Sequence, residues 1–211
     1  MALNFDKNTW YDTEMTISGL GLVQAATVGF WVKRSSTETR SPIGNTPIGV
    51  GGGDSDVFTF FYVSPSPWTR INTANTSNAT INSGTWGTGW THLLSTYNGA
   101  NYRLYIGGAF QAQVSATGDI KNNSTRSFFI GKRGTDGSGF AWWGDVAEFA
   151  IWDVFLSDGE IASLGKGFCA NRIRPQSLLS NSRLIRGLTD VKGRSTASGT
   201  TTAASHPAIY A

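Results

Sequence analysis

Few groups in this chain have the chemistry to act on a substrate. Asp145, Glu148 and Asp153 fall in and just after one strand-like stretch. Two carboxyl groups about 5 Å apart are what a retaining glycosidase uses as nucleophile and acid/base. On a strand, only even offsets share a face. Offsets of three, five and eight put Asp145 and Asp153 on one face but far apart, with Glu148 on the other. These carboxylates are expected to bond strand ends and turns, and no catalytic residue is assigned. Nucleophilic chemistry has no better support. Cys169 is the single cysteine, and neither His92 nor His206 has a sequence context tying it to that thiol. His92 shares a strand face with Trp90 and Leu94, the setting of a packed histidine, and His206 precedes Pro207 in a docking context. Gly51-Gly52-Gly53 lacks the Gly-Lys-Ser/Thr and the helix that a phosphate loop requires. The chain is expected to be no enzyme.

The elements that would position these residues are strands and turns. Only 15% of the 211 residues are charged, against about 25% in an ordinary globular protein. Twenty-six glycines point to many turns and few long helices, and eight Trp, six Tyr and twelve Phe exclude a disordered polymer. Residues 27–34, 57–63, 90–97, 102–106, 109–114, 126–130 and 144–152 read as strands, with Val28, Phe30 and Val32 on one face. Asn98-Gly99-Ala100-Asn101 and Gly107-Gly108 read as hairpin turns. Ser157-Asp158-Gly159-Glu160 is a capping box opening one short helix, with Ile161 and Leu164 as its apolar stripe. Of Trp142-Trp143, adjacent strand residues that face opposite ways, one is expected to plug the core. The pattern predicts an all-β, two-sheet antiparallel jelly-roll sandwich with one short helix and a C-terminal extension.

No stretch approaches the ~20 consecutive apolar residues that cross a bilayer, so no membrane insertion is expected. The start shows no basic region followed by an apolar core, and the lone cysteine excludes a disulfide framework. Synthesis in a reducing compartment is the expectation. The net charge of +3 is unevenly spread. Residues 1–165 hold ten Lys and Arg against thirteen Asp and Glu, whereas residues 166–211 hold seven against one, Asp190. A basic terminal segment on a slightly acidic body marks an attachment arm. It lacks interleaved aromatics and its charges are spread, so nucleic acid is not an expected partner.

Residues 90–99, Tyr102-Arg103-Leu104-Tyr105-Ile106-Gly107-Gly108, Phe128-Phe129-Ile130-Gly131 and residues 143–161 together resemble the laminin G-like family of concanavalin A-like lectin/glucanase jelly rolls. Leu3-Asn4-Phe5-Asp6 and Val28-Gly29-Phe30-Trp31-Val32 match its usual first strands. The resemblance covers roughly residues 2–167 and is vaguer over 36–85. It implies glycan binding through loops at the sandwich rim, sometimes with calcium. Trp68 and Trp86 lie in loop-like contexts and are the candidates for stacking on a sugar ring. Asp54, Asp56 and Asp136, oxygen donors among glycines, are weak candidates for calcium, and no cofactor is otherwise expected.

The sequence divides into a jelly-roll domain over 1–167 and a basic anchoring segment over 168–211. Ile173–Leu179, Leu184–Asp190 and His206–Tyr210 resemble endings of jelly-roll proteins encoded among bacteriophage structural genes. That resemblance implies a virion component, a capsid decoration or tail-associated protein made in the bacterial cytoplasm and displayed on the particle as a homo-oligomer. Arg172, Arg174, Arg183 and Arg186 would meet acidic groups on capsid or tail proteins, with Leu178, Leu179 and Ile185 inserted between them. Deleting 168–211 is then expected to leave the body folded. The alternative is a carbohydrate-binding lectin-like module that recognises cell-surface glycans.

Overall fold

The computed structural model describes residues 2–6, 9–35, 40–44, 57–63, 66–85, 87–121, 127–132, 141–184, 202–205 and 207. Their strands form two antiparallel sheets packed face to face. One has eight strands. In order across the sheet these are β10 (Ala109–Ser115), β9 (Asn101–Ile106), β8 (Thr91–Tyr97), β3 (Ala26–Arg34), β12 (Gly144–Trp152), β1 (Ala2–Phe5) and β14 (Thr202–Ala204). The eighth, β13 (Leu178–Ser182), pairs with the second half of β12. The other sheet has six: β2 (Tyr11–Thr16), β11 (Ser127–Ile130), β4 (Arg40–Gly44), β5 (Phe58–Val63), β6 (Ser66–Ile71) and β7 (Ala79–Asn82). The expected all-β sandwich is the observed fold, and seven of its strands lie where the alternation put them.

The alternation has an evident cause in the core. Val28, Phe30 and Val32 point inward from β3 and are fully buried, facing Ile43, Phe58, Phe60 and Ile71 of the opposite sheet. The rings of Phe30 and Phe60 meet edge-on, 4.9 Å apart, across the sandwich. Tyr102 spans the same gap, its hydroxyl hydrogen-bonded to Thr69 of β6. Trp142 is the core plug of the adjacent tryptophan pair. Both hairpins form as expected: Gly99, Gly107 and Gly108 all take positive φ, and the Asn98 side chain accepts from the amides of Ala100 and Asn101.

A second apolar cluster covers part of the outer face of the eight-stranded sheet. Helix α1 (Ile17–Leu20) is a single turn after β2, and on the outer face of the large sheet α2 (Asp158–Gly165) lays Ile161 and Leu164 against Leu94, Tyr105 and Trp152. The capping box is complete, with the Ser157 side chain accepting from the Glu160 amide and the Glu160 carboxylate from the Ser157 amide.

The segment beyond residue 167 departs from expectation. Instead of standing apart as an appendage, it supplies β13 and β14 to the large sheet. Leu178 packs into the second cluster, and Trp152 Nε1 donates to the Ile173 carbonyl at 2.8 Å. The physical reason is that the second half of β12 would otherwise show an unpaired edge and a bare apolar face, both of which this segment covers.

Candidate functional site

The outer face of the six-stranded sheet carries a continuous row of residues in register. Asp12, Phe129, Gly44, Thr59, Arg70 and Thr80 pair successively across all six strands. Strand alternation turns Tyr11, Thr13 and Met15 of β2, and Pro67, Thr69 and Ile71 of β6, inward, which leaves Asp12, Glu14, Trp68 and Arg70 on the outside. Trp68 is half-buried and sits opposite Asn82 of β7. The Arg70 guanidinium lies 4.4 Å above the Trp68 ring, a cation–π contact that fixes the plane of the indole.

In the middle of this row Gly44 has no side chain, and Phe129, Gly44 and Thr59 are all buried. The Thr59 Oγ1 has no hydrogen-bond partner among the described residues. Such a hydroxyl is costly to bury unpaired. Asp12 accepts from the Ser127 hydroxyl. At the far end, Lys132 places Nζ 3.7 Å from the centroid of Trp10 and 4.9 Å from that of Phe129. Trp10 is 38% exposed. Three strand spacings separate β11 from β6, about 14 Å. The face therefore carries an aromatic–cation pair at each end, with the buried Phe129, Gly44 and Thr59 between them.

Of the sequence candidates, Trp68 belongs to this face, standing in β6 and not in a loop. Trp86, Asp54, Asp56 and Asp136 lie outside the described residues, as do Ile185, Arg186 and His206. The proposed anchoring residues are dispersed. Leu178 is buried against α2, and Leu179 packs on the main core. Arg174 Nε donates to Glu160 at 2.6 Å, and an Arg183 Nη contacts Cys169 Sγ at 3.7 Å. Arg172 is exposed. Trp10 and Lys132 were not legible as site residues, because they meet from distant parts of the chain, and Arg70 was not, because its stack on Trp68 needs the two residues on one strand face.

The carboxylates of the glycosidase test are arranged differently from the offset reading. Asp145 is held by Asn4 at 2.7 Å and Lys33 at 3.8 Å, a strand-end role as expected. Glu148 sits in a bulge, where the β12–β3 register slips between Ala147 and Ala150. The inserted residue reverses the alternation, so Ala147 and Ala150 both face outward, and Glu148 lines a hollow on that same outer side. His92 is packed, as expected: it is 4% exposed, and burial pushes its imidazole down to about 3. Among the described residues no group of three His, Cys, Asp or Glu could hold a metal, and no helix is long and apolar enough to cross a membrane.

A family model described as the concanavalin A-like lectin/glucanases superfamily, laminin G type, matches residues 6–162. No curated protein matches the chain in sequence. Among solved structures, a putative carbohydrate binding protein from Bacteroides ovatus is similar over 100% of this chain and 60% of its own, with a TM-score of 0.69 and 16% identity. The CBM40 of the Ruminococcus gnavus IT-sialidase, solved with alpha2,3 sialyllactose, is similar over 78% and 94%, with a TM-score of 0.61 and 15% identity. Domains LG4-5 of the mouse laminin alpha1 chain are similar over 71% and 40%, with a TM-score of 0.53 and 11% identity. At these identities the likeness establishes the fold.

Proposed function

The chain belongs to the concanavalin A-like lectin/glucanase superfamily, and we propose that it is a non-catalytic carbohydrate-binding module that uses the outer face of its six-stranded sheet. The observation that carries this reading is the Arg70–Trp68 stack on the outer face of β6, opposite Asn82 of β7. A sugar ring needs an aromatic surface for its C–H face and polar groups for its hydroxyls. Trp68 supplies the first, and Arg70, Asn82 and Thr80 supply the second. The carbohydrate-binding proteins among the structural neighbours support the same reading by analogy of fold. Asp145 is held at a strand end by Asn4 and Lys33, and Glu148 sits in the β12 bulge, which supports the non-catalytic part.

The experiment is a glycan array followed by calorimetry on the best binder. Trp68→Ala is expected to weaken that binding by about tenfold or more, and Arg70→Ala by less. Unchanged affinity in both variants, or an array with no signal, would remove the proposal. Calcium dependence, tested by chelation in the same assay, decides whether Asp54, Asp56 or Asp136 takes part.

A second reading rests on the C-terminal resemblance to bacteriophage jelly-roll proteins. In it the module is displayed on a particle surface, with Arg172 and the segment after Leu184 meeting coat proteins. Mass spectrometry of purified particles tests it, and absence of the chain from them ends it.

A further inference from the structure

The two flanks of the sandwich end in strands of different character. On one flank β2 closes the six-stranded sheet and carries Asp12 and Glu14. Glu14 takes a φ of 56°, and the register with β11 slips beside it. Charge and a bulge of this kind keep an edge from pairing with another chain. On the other flank β7 and β10 meet, and neither strand holds a charged residue or a proline. Strand β10 is the longer, at seven residues, and Phe110, Gln113 and Ser115 are exposed along it. The Phe110 ring is 50% exposed, with Tyr105 edge-on at 5.7 Å as its aromatic neighbour.

The phase of the β9–β10 ladder decides which main-chain groups of that edge are free. Ala116 N donates to the Ala100 carbonyl at 3.0 Å, so these two residues form a hydrogen-bonded pair. Such pairs alternate with non-bonded ones along an antiparallel ladder. Val114 and Ala112 therefore bond to Tyr102 and Leu104, while Ser115 and Gln113 turn their amides and carbonyls away from β9. The far side of β9 gives the same phase, because Asn98 N donates to the Asn101 carbonyl there. No described strand lies beyond β10. The Gln113 side chain is already engaged, its Oε1 accepting from Arg103 Nε at 3.1 Å, so the main chain is what this residue offers. Toward Phe110 a bulge ends the regular stretch, and there the Gln111 side chain donates to the Ala109 carbonyl.

Two outward residues spaced by two match their own reversed copy. Set antiparallel about a two-fold axis at Val114, Gln113 of each copy faces Ser115 of the other, and each such pair exchanges two N–H···O=C bonds. A neutral strand brings no like charges together across the axis. A foreign strand would make similar bonds but leave its own outer edge open, whereas the two-fold pairing closes both edges at once. We infer that β10 is the seam of a homodimer, in which two eight-stranded sheets join into one continuous sheet. The axis runs perpendicular to the joined sheet, so both copies turn the outer face of the six-stranded sheet, with Trp68, the same way.

The test is sedimentation of the full chain across the micromolar range, with amide hydrogen exchange read at Gln113 and Ser115 in the same samples. A dimer in reversible equilibrium with monomer is expected. The two amides should exchange at least about tenfold more slowly in the dimer than in the dilute monomer. Ser115→Pro removes an outward N–H and leaves the bonds to β9 in place, and it should raise the dissociation constant by about tenfold or more. Ser115→Lys puts a charge on the edge, should also weaken the dimer, and serves where Ser115→Pro fails to fold. Ser115→Thr keeps the main chain and should dimerise like the wild type. A monomer at every concentration, a closed trimer or larger ring, a dimer that survives Ser115→Lys and folded Ser115→Pro, or one that leaves both amides freely exchanging would overturn the inference. The measurement uses no glycan, so it fails or succeeds independently of the carbohydrate reading.

Discussion

Trp31 and His92 stand directly opposite one another on β3 and β8, their rings 5.3 Å apart and inclined by 53°. The packing that makes this contact also removes His92 from water and pushes its pKa from 6.5 down to about 3. Below 6.5 the unfolded chain takes up a proton that the folded chain refuses. This contribution to stability is therefore fully present above about pH 6.5 and is lost as the pH falls toward 3, by about tenfold in the folding constant per pH unit. Glu148 is the titratable group that faces His92 from β12. Urea melts at about pH 7 and about pH 4.5 should show the fall in the wild type, and His92→Phe should flatten it. Equal slopes in the two proteins would mean that the imidazole takes up its proton in the folded state.

Helix α2 contains two glycines in opposite circumstances. A Cβ on Gly165 would overlap the backbone of Gly107 and Gly108, where the helix end docks on the β9–β10 turn. A Cβ on Gly159 would meet nothing within 4 Å. Gly165→Ala should lower stability by about 2 kcal/mol or more through overpacking, whereas Gly159→Ala should raise it by about 0.5 kcal/mol through chain entropy. Chemical melts of both variants check the contrast, and equal effects would mean that the docking is loose.

Much of this fold was legible because its causes are local. The Val28, Phe30, Val32 alternation, the Asn98-Gly99 turn and the Ser157–Glu160 box each act within a few residues. What escaped depends on distant partners. The bulge at Glu148 is a register slip against β3, and it reverses which residues of β12 face outward. Strand β6 read as a loop because Pro65 precedes it and Pro67 stands within it, and its pairing with β5 and β7 overrides that signal. The candidate face was legible only in Trp68, since Arg70 acquires its role by stacking on that ring and Lys132 by reaching Trp10.

The cap of α2 makes another separable prediction. Partial burial works against ionisation of Glu160, but hydrogen bonds from Arg174 and Ser157 outweigh it and hold the carboxyl below its usual value. A depressed carboxylate pKa stabilises the fold above the unfolded value, and that stability is lost as the pH falls through the folded one. Ser157→Ala should cost about 1 kcal/mol, by removing the acceptor for the Glu160 amide. Arg174→Ala should cost less, because its pair with Glu160 lies at the surface. Melts near neutral pH rank the two, and a larger loss from Arg174→Ala would show that the ion pair, not the cap, holds this helix.

The C-terminal segment yields the prediction that most separates an appendage from a structural part. Truncation after residue 167 removes β13 and β14, uncovers the second half of β12, and takes Leu178 and Ala170 out of the cluster around Trp152. It also removes the Ile173 carbonyl that receives the buried Trp152 indole N–H. Loss of one buried leucine alone costs about 2–5 kcal/mol, and an orphaned indole adds about 1–3 kcal/mol. Together these approach the whole stability of a domain, about 5–15 kcal/mol. Truncation after residue 184 keeps β13 and gives up only the three residues of β14 within the described sheet. The longer product should therefore melt cooperatively near the full chain, while the shorter one should lose its cooperative transition or aggregate. Should the 1–167 product melt like the full chain, the segment would be an attached arm whose strands add nothing to the sandwich.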